Sequence, residues 1–261
     1  MGSVVCFGEF MDNRKGVGYF SLNSLISLII FNYQLSIVNY HCIFVENYDQ
    51  MIHPIAELRH WWWRRTLRNR EVTIISENCW GGFMCQFTGM RYNSPFVGLL
   101  VPAPDYIKIL RSLREYIEGT LHEIAWEESR YAENLKRFNF RFPLAVLTPT
   151  NGGDPVEIHF RHGKSFEEEA AKWYRRSKRV NYDNIIVKLA ERNECTPKEI
   201  AEFDALDYPS KVCFTVNKYP YPSARQLKVA NYRRKGAVYN EWKYCDSEYN
   251  FAKEANKLID N

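Results

Sequence analysis

Two imidazoles, several ammonium and guanidinium groups and an aspartate crowd into one run of the chain, HFRHGKSFEEEAAKWYRRSKRVNYDN from His159 to Asn184. His162 can take or give a proton near neutral pH and is one candidate catalytic residue; Asp183 is the other. Asp183-Asn184 equally fits a cap, a turn or a metal-bridged diphosphate contact. Lys164 stands just before a helix start at Ser165, where its charge would add to the helix dipole in favour of an anion. Arg175, Arg176 and Arg179 are candidates for neutralising phosphate. Any one of them alone reads as part of a wet helix face on which Glu168 and Lys172 form an ordinary i,i+4 pair. His159 is a further ligand candidate. Two residues separate it from His162, and on a strand running into a loop that is not the helical spacing of a metal pair, so no metal site is expected.

A second group of ligand candidates, Asn78, Trp80, Gly81 and Gly82, falls in Ser76-Glu-Asn-Cys-Trp-Gly-Gly82. A Gly-Gly turn would let backbone amides approach a phosphate or sugar, with Asn78 donating and Trp80 offering an apolar platform. Neither a P-loop nor a G-x-G-x-x-G fingerprint is present.

The elements that must carry these residues alternate. Val72–Ile75 and Phe96–Val101 read as buried strands, and Asp105 opens a helix whose apolar positions at 106, 109, 110, 113 and 117 share one face until Gly119. Leu144–Leu147 and Val156–Phe160 are strands. Ser165 with Glu168 forms a capping box for a helix burying Phe166, Ala170 and Trp173. Asn184–Leu189 is a strand, Thr196-Pro-Lys-Glu199 is a capping box with proline at the first helical position, and Lys211–Val216 is the next strand. This alternation predicts an α/β fold: three layers, a largely parallel or mixed sheet with helices on both faces, Rossmann-like without a dinucleotide fingerprint. Ligands of such sheets bind beyond the carboxyl ends of strands, which selects the loops Ser76–Gly82 and Arg161–Lys164.

The chain has 261 residues and a formal charge of +4, too mild an excess for a dedicated nucleic-acid binder. Its seven cysteines are scattered without a C-x-x-C pair, which excludes zinc ribbons and disulfide scaffolds and suits a reducing, cytoplasmic compartment. Residues 1–50 stand apart as an N-terminal extension before a single α/β domain over 51–261. No Asp, Glu, Lys or Arg lies between Val17 and Val45. The run is long enough to span a bilayer but is interrupted by polar residues such as Asn23, Asn32, Gln34 and His41. Two readings remain open there: a membrane segment, or an extension upstream of a true start at Met51. Downstream, IAELRHWWWRRTLRNR reads as a basic helix. Trp61, Trp62 and Trp63 cannot all share one face, so it serves either as a helix packed on the domain or as a peripheral membrane contact.

Taken together, Asn78-Cys-Trp-Gly-Gly82, Ser94-Pro-Phe-Val-Gly98, Pro104-Asp-Tyr-Ile-Lys108, Ile158-His-Phe-x-His162-x-Lys-Ser-Phe-Glu-Glu168, Lys172-Trp-x-Arg-Arg176, Asn181-x-Asp-Asn184, Phe203-Asp204 and Lys211-Val resemble a bacterial family, domain of unknown function nineteen-nineteen, whose members are often labelled exopolysaccharide biosynthesis proteins. The resemblance runs from about Arg64 to about Tyr221 and adds Ser94 to the ligand candidates. It implies an α/β fold and an association with surface-polysaccharide genes, and supplies no reaction. Two stretches depart from it: Glu127–Phe142, charged, aromatic and helical in appearance, and Ala190-Glu-Arg192, where acidic or Thr-Asp sequences are usual. Two functions follow as expectations. One is a glycosyltransferase-like enzyme drawing on an anionic activated sugar donor. The other is a non-catalytic scaffold of a polysaccharide assembly complex, docked at the membrane through the tryptophans. The cofactor is unknown.

Overall fold

A computed structural model of the chain describes residues 54–260, so the expectations for residues 1–50 and Met51 lie outside the described residues. Along the chain these residues form α1 (Pro54–Thr66), β1 (Thr73–Ser76), α2 (Trp80–Thr88), α3 (Ala103–Arg111), α4 (Leu113–Ile117), β2 (Thr120–Ile124), α5 (Ala132–Leu135), β3 (Leu144–Thr148) and β4 (Val156–His159). There follow α6 (Phe166–Ser177), β5 (Ile185–Ala190), α7 (Pro197–Asp204), β6 (Ser210–Thr215), β7 (Ala224–Gln226), α8 (Ala230–Lys235) and α9 (Phe251–Asp260).

The fold is α/β. Four strands pair in parallel in the order β1-β5-β6-β7, with Ile74 opposite Ile186 and Leu189 opposite Cys213. Side chains alternate across a strand, so successive residues of β5 feed two separate cores. Ile185, Val187 and Leu189 meet α3, α4, α6 and α7 through Tyr106, Leu110, Ile117, Trp173, Ile200 and Phe203. Ile186 and Ala190 face the other way, toward Trp63, Trp80, Phe83, Tyr232 and Phe251 of α1, α2, α8 and α9. A strand apolar on both faces stays out of water only when both faces are covered, and the three layers follow.

Several expected elements take a different form. Val156–His159 is a strand, but it closes a separate antiparallel sheet, β2-β3-β4, and not the parallel one. Phe96–Val101 is a buried turn segment in which only Leu100 bridges to His159; Pro95 and Gly98, at φ 88°, break the extended run. The helix opened near Asp105 is interrupted at Ser112 before α4 resumes it. Glu127–Phe142 is mostly loop, with one 3-10 turn at Trp126–Glu128 and the four-residue α5, because its aromatic residues pack as a small cluster around Phe142. Of the three tryptophans, Trp63 is core, while Trp61 and Trp62 are exposed. The phase of α1 decides this: Trp63 and Leu67 are both buried, four residues apart on one face.

Two of these features set the position of the site. α2 begins directly after β1 and lies tight on it, because Gly81 presents no Cβ: one built there would come within 2.9 Å of Ser76 Oγ and 3.0 Å of Ile74 Cγ2. The Gly81 amide uses that proximity to donate to Ser76 Oγ at 3.1 Å. Replacing Gly81 with Ala is therefore expected to lower unfolding stability by about 1–3 kcal/mol through overpacking, despite alanine's better helix propensity. Urea denaturation checks this; an unchanged or raised midpoint would mean that the glycine is not needed for packing.

Candidate functional site at the carboxyl edge of the parallel sheet

The centre of the parallel sheet carries a charge. Lys188 interrupts the apolar strand β5 and is fully buried, as are Glu77 just past β1 and Glu241 in the C-terminal segment. The Lys188 ammonium donates to Glu77 Oε1 at 3.0 Å, to Asn78 Oδ1 at 3.1 Å and to Glu241 Oε1. Asn78 completes the cluster by donating from Nδ2 to Glu241 Oε1 at 2.7 Å and accepting from the Trp80 amide at 3.0 Å. Burial by itself would discharge all three ionisable groups. For Lys188 and Glu241 it is outweighed by their mutual attraction, with Glu77 also acting on the lysine and Arg192 on Glu241, so the lysine pKa rises and the Glu241 pKa falls. For Glu77 burial wins, reinforced by the Glu241 charge, and its pKa rises. Lys188 and Glu241 therefore form a buried ion pair, and Glu77 is the less readily ionised of the two acids on the lysine.

On the outer side of this cluster the strand ends form a rim. Cys79 Sγ lies 3.2 Å from His162 Nε2, which joins the loop after β1 to the loop after β4. Burial, opposed by the charges of Arg192, Arg161 and Lys188, pushes the Cys79 thiol up to about 11. His162 keeps some solvent access, yet the atoms packed round its ring and the Arg161 guanidinium hold its pKa down to about 4. Near neutral pH the pair is a thiol beside a neutral imidazole. It is not the thiolate–imidazolium pair of an activated nucleophile.

The exit of β5 is strained. Asn193 and Glu194 both take left-handed backbone angles, φ 51° and 66°, which cost non-glycine residues energy and concentrate at ligand sites. Their neighbours hold them there: the Asn193 carbonyl accepts from the Ala103 amide at 2.9 Å, and its Oδ1 accepts from Arg137 Nη2 at 2.9 Å. Glu191 ties the exits of β5 and β6 together by accepting from the Val216 amide at 2.6 Å and the Tyr219 hydroxyl at 2.8 Å. Arg192 lies over the Tyr239 ring at 5.0 Å, and its buried Nε has no hydrogen-bond partner among the described residues. Arg192 and Arg161 both act on the Cys79 thiol, and Arg137 feels the charge of Arg192. Arg192 follows β5 directly, Arg137 bonds to Asn193 next to it, and Arg161 packs over Phe138, the neighbour of Arg137, so the three guanidiniums share one edge of the sheet, the edge at which parallel folds bind ligands.

The sequence candidates divide between this edge and the rest of the fold. His162 and Asn78 lie at it, Asn78 as a structural member of the lysine cluster. Lys164 is exposed just beyond His162, before α6, and Ser165 caps that helix by accepting from the Glu168 amide at 3.3 Å. Gly81 and Gly82 sit in the first turn of α2 and not in an open loop, and Trp80 is fully buried against Phe214, Tyr249 and Phe251, so it offers no platform to a ligand. Ser94 is buried and accepts from the Phe96 amide at 3.1 Å within its own turn. At the far end of α6, roughly 15 Å along the axis from Ser165, Arg176 donates to the Val97 carbonyl at 3.1 Å and Arg179 to the Tyr92 carbonyl at 3.2 Å, clamping the segment between them. Arg175 is exposed there, and Lys172 pairs with Glu169 at 2.6 Å in place of Glu168. Asp183 is exposed in an Asx turn, its amide donating to Asn181 Oδ1 at 3.1 Å. That turn precedes β5, at the opposite end of the sheet from His162, so the two candidate catalytic residues do not meet. His159 is buried, with Nε2 3.3 Å from the Glu157 carboxylate.

Arg137, Lys188, Arg192, Asn193 and Glu241 were not among the sequence candidates, and Glu77, Cys79 and Arg161 lay in the selected loops without being singled out. Lys188 had a signal: a lysine in the middle of Ile185-Ile-Val-Lys-Leu-Ala190 is anomalous in a strand predicted to be buried on both faces. Among the described residues no group of three or more His, Cys, Asp and Glu side chains is arranged to hold a metal ion, and no helix is long and apolar enough to cross a membrane.

Comparison with known proteins gives a family and no reaction. Residues 54–258 match the family described as Domain of unknown function (DUF1919). An uncharacterized protein of Haemophilus influenzae is similar at 32% identity over 166 residues, which span 63% of this chain and 72% of the relative.

The neutrality of the Cys79–His162 pair is measurable. Alkylation of Cys79 by iodoacetamide, followed by mass spectrometry, is expected to be slow at pH 8 and to accelerate toward about pH 11, while His162 stays uncharged in an NMR titration until the pH falls near 4. Rapid alkylation of Cys79 at pH 7 would contradict this assignment.

Proposed function

This chain belongs to the DUF1919 family, and we propose that it is an enzyme transferring a sugar or related group from an anionic activated donor to a hydroxyl of a surface glycan. The observation that carries the reading is the convergence of Arg137, bonded to Asn193, Arg161, packed over Phe138, and Arg192, over the Tyr239 ring, at the carboxyl edge of the parallel sheet beside the strained Asn193-Glu194 turn. Guanidiniums bind phosphate oxygens through paired, charge-assisted hydrogen bonds. In group transfer from a phosphorylated donor the leaving phosphate gains negative charge, so a preformed cationic edge stabilises the transition state more than the ground state. An anion bound there would also offset the Arg161 charge that depresses the His162 pKa, bringing that imidazole nearer to the range useful for moving protons. Five free cysteines among the described residues suit work in a reducing compartment such as the cytoplasm.

A second reading, a non-catalytic scaffold docked at a membrane, draws on a different surface. Leu58 and Trp62 are 62% and 57% exposed on α1, and Arg65 stacks over the Trp61 ring at 4.6 Å. Indole beside guanidinium suits the headgroup zone. The buried Trp63 takes no part. Binding to anionic lipid vesicles that is lost on replacing Trp61 and Trp62, without any response to sugar donors, would favour this reading over transfer.

Isothermal titration with a panel of nucleotide sugars and sugar phosphates tests the first reading. At least one compound is expected to bind. Arg137→Ala and Arg192→Ala are each expected to weaken it by roughly 10- to 100-fold, the equivalent of one charge-assisted hydrogen bond, while Arg175→Ala leaves it unchanged. A folded protein giving no heat and no thermal shift with any member of the panel would overturn the proposal.

A further inference from the structure

Where β4 ends beside the arginine edge, a cavity of about 10 Å³ is lined by Tyr131, Arg137, His159 and Asn193, among others. That volume admits a single water-sized group. Two polar atoms of the lining, His159 Nδ1 and Asn193 Nδ2, are buried and have no hydrogen-bond partner among the described residues. His159 is 1% exposed and Asn193 7%, so bulk solvent does not reach these atoms. Native proteins pair such atoms with other protein groups or with ordered water, and here both belong to one small cavity.

Both residues are held by their other contacts. His159 Nε2 lies 3.3 Å from the Glu157 carboxylate, and its ring meets Tyr131 edge-on at 6.0 Å and Phe142 at 6.3 Å between centroids. Glu157 is itself fixed, accepting from Ser129 Oγ at 2.6 Å and from the Arg130 amide at 2.7 Å. Asn193 keeps its left-handed φ of 51° while its carbonyl accepts from the Ala103 amide and its Oδ1 from Arg137 Nη2, each at 2.9 Å. The Arg137 contact makes Nδ2 the donor end of the amide. An occupant must therefore accept from Nδ2 and also suit Nδ1 of an imidazole. Water does so whichever proton state the ring holds, donating to a bare Nδ1 or accepting from a protonated one. A cation would face the donor hydrogens of the amide, and a halide would suit only the protonated ring.

We propose that this cavity binds one long-lived water bridging His159 Nδ1 to Asn193 Nδ2, and that His159 is thereby a positioning residue for Arg137. The connection runs from Glu157 through His159, the water and Asn193 to Arg137, and so from a buried acid of the antiparallel sheet to the arginine edge. Arg137 is exposed, and a long side chain in water samples many rotamers. A fixed acceptor keeps its guanidinium in place and spares a ligand the cost of ordering it. Without the bridge the Asn193 amide is free to turn about its last side-chain bond, which carries Oδ1 away from Arg137. The bridge and the ordering of Arg137 stand without the transfer reading; the consequence for phosphate binding rests on it.

The first test needs no variant. In ¹⁵N-labelled full-length protein, water-selective NMR is expected to show a cross-peak between a long-lived water and the Asn193 side-chain amide; its absence overturns the proposal. Two replacements then separate the water from Glu157. An asparagine side chain places its polar atoms near Nδ1 of the histidine it replaces, and a glutamine near Nε2. His159→Asn therefore keeps a partner for the water and loses the one for Glu157, and His159→Gln does the reverse. The readout is the ¹H–¹⁵N NOE of Arg137 Nε, which reports its order. It is expected to stay near the wild-type value in His159→Asn and to fall toward that of the exposed Arg175 in His159→Gln. Inorganic pyrophosphate, the probe of the edge, is expected to bind about tenfold more weakly to His159→Gln alone, as for one lost hydrogen bond. A loss of Arg137 order in His159→Asn as large as that in His159→Gln, the pattern if His159 acts only through Glu157, overturns the proposal. The expected cross-peak and Arg137 order without pyrophosphate binding to any of the three proteins would uphold the bridge and remove the edge as a phosphate site.

Discussion

The burial of Lys188 is the constraint on which the rest of this structure depends. An ammonium inside a parallel sheet is tolerable only if every proton finds an acceptor and its charge is matched. Glu77, Asn78 and Glu241 meet that demand, and in doing so they fix three distant parts of the chain to one point: the end of β1, the middle of β5 and the segment after α8. Cys79 follows Asn78 directly, and Arg192 acts on both Glu241 and Cys79. Any shift of the lysine cluster would thus displace the rim on which the proposed function relies.

Around that point the fold separates two kinds of charge. Toward the interior lies a matched cluster, one ammonium held between two buried acids. Toward the rim lie guanidiniums, with Arg137 bonded to Asn193 and Arg192 lying over the ring of Tyr239. The second carboxylate network, Glu157 with Asp105 and Arg130, repeats the arrangement on the smaller antiparallel sheet: a buried acid satisfied from several sides, with a histidine at its margin. The two networks approach each other at one small cavity, lined by His159 beside Glu157 and by Asn193 at the exit of β5. Preorganisation of this kind lets side chains meet a ligand without the ordering cost that flexible residues incur.

Much of the architecture was legible in the chain. The caps at Ser165, which accepts from the Glu168 amide without the reciprocal bond of a full box, and at Thr196, a complete capping box, marked helix starts to within a residue, because a side-chain cap is a local bond that local sequence specifies. The β-branched runs gave β1, β3, β5 and β6. The strand proposed at Phe96–Val101 failed because burial, and not extension, accounts for its apolar content; Pro95 and Gly98 turn the backbone while Phe96, Leu99 and Val101 still reach the core. Assigning β4 to the parallel sheet failed because pairing partners are set by tertiary contacts, and nothing within Val156–Phe160 states its direction. Of the candidates, His162 and the loop after β1 do meet at the carboxyl edge, although β4 reaches it from the antiparallel sheet; Trp80 is packed in the core, and the Gly-Gly pair reflects close approach of helix to strand. Arg137, Arg192, Asn193 and Glu241 lie in irregular segments that only the folded chain brings together. Lys188 was readable as an anomaly.

The central claim, that matched charge around Lys188 holds the carboxyl edge in place, is tested most directly by a double-mutant cycle on unfolding free energy. Replacing Lys188 with Met alone strands the carboxylates and is expected to cost about 3–5 kcal/mol. In a Glu77→Gln, Glu241→Gln background, where the lysine has no acid to match, the same replacement is expected to cost far less or to stabilise. An equal loss in both backgrounds would show that Lys188 contributes only its packing volume and would contradict the account.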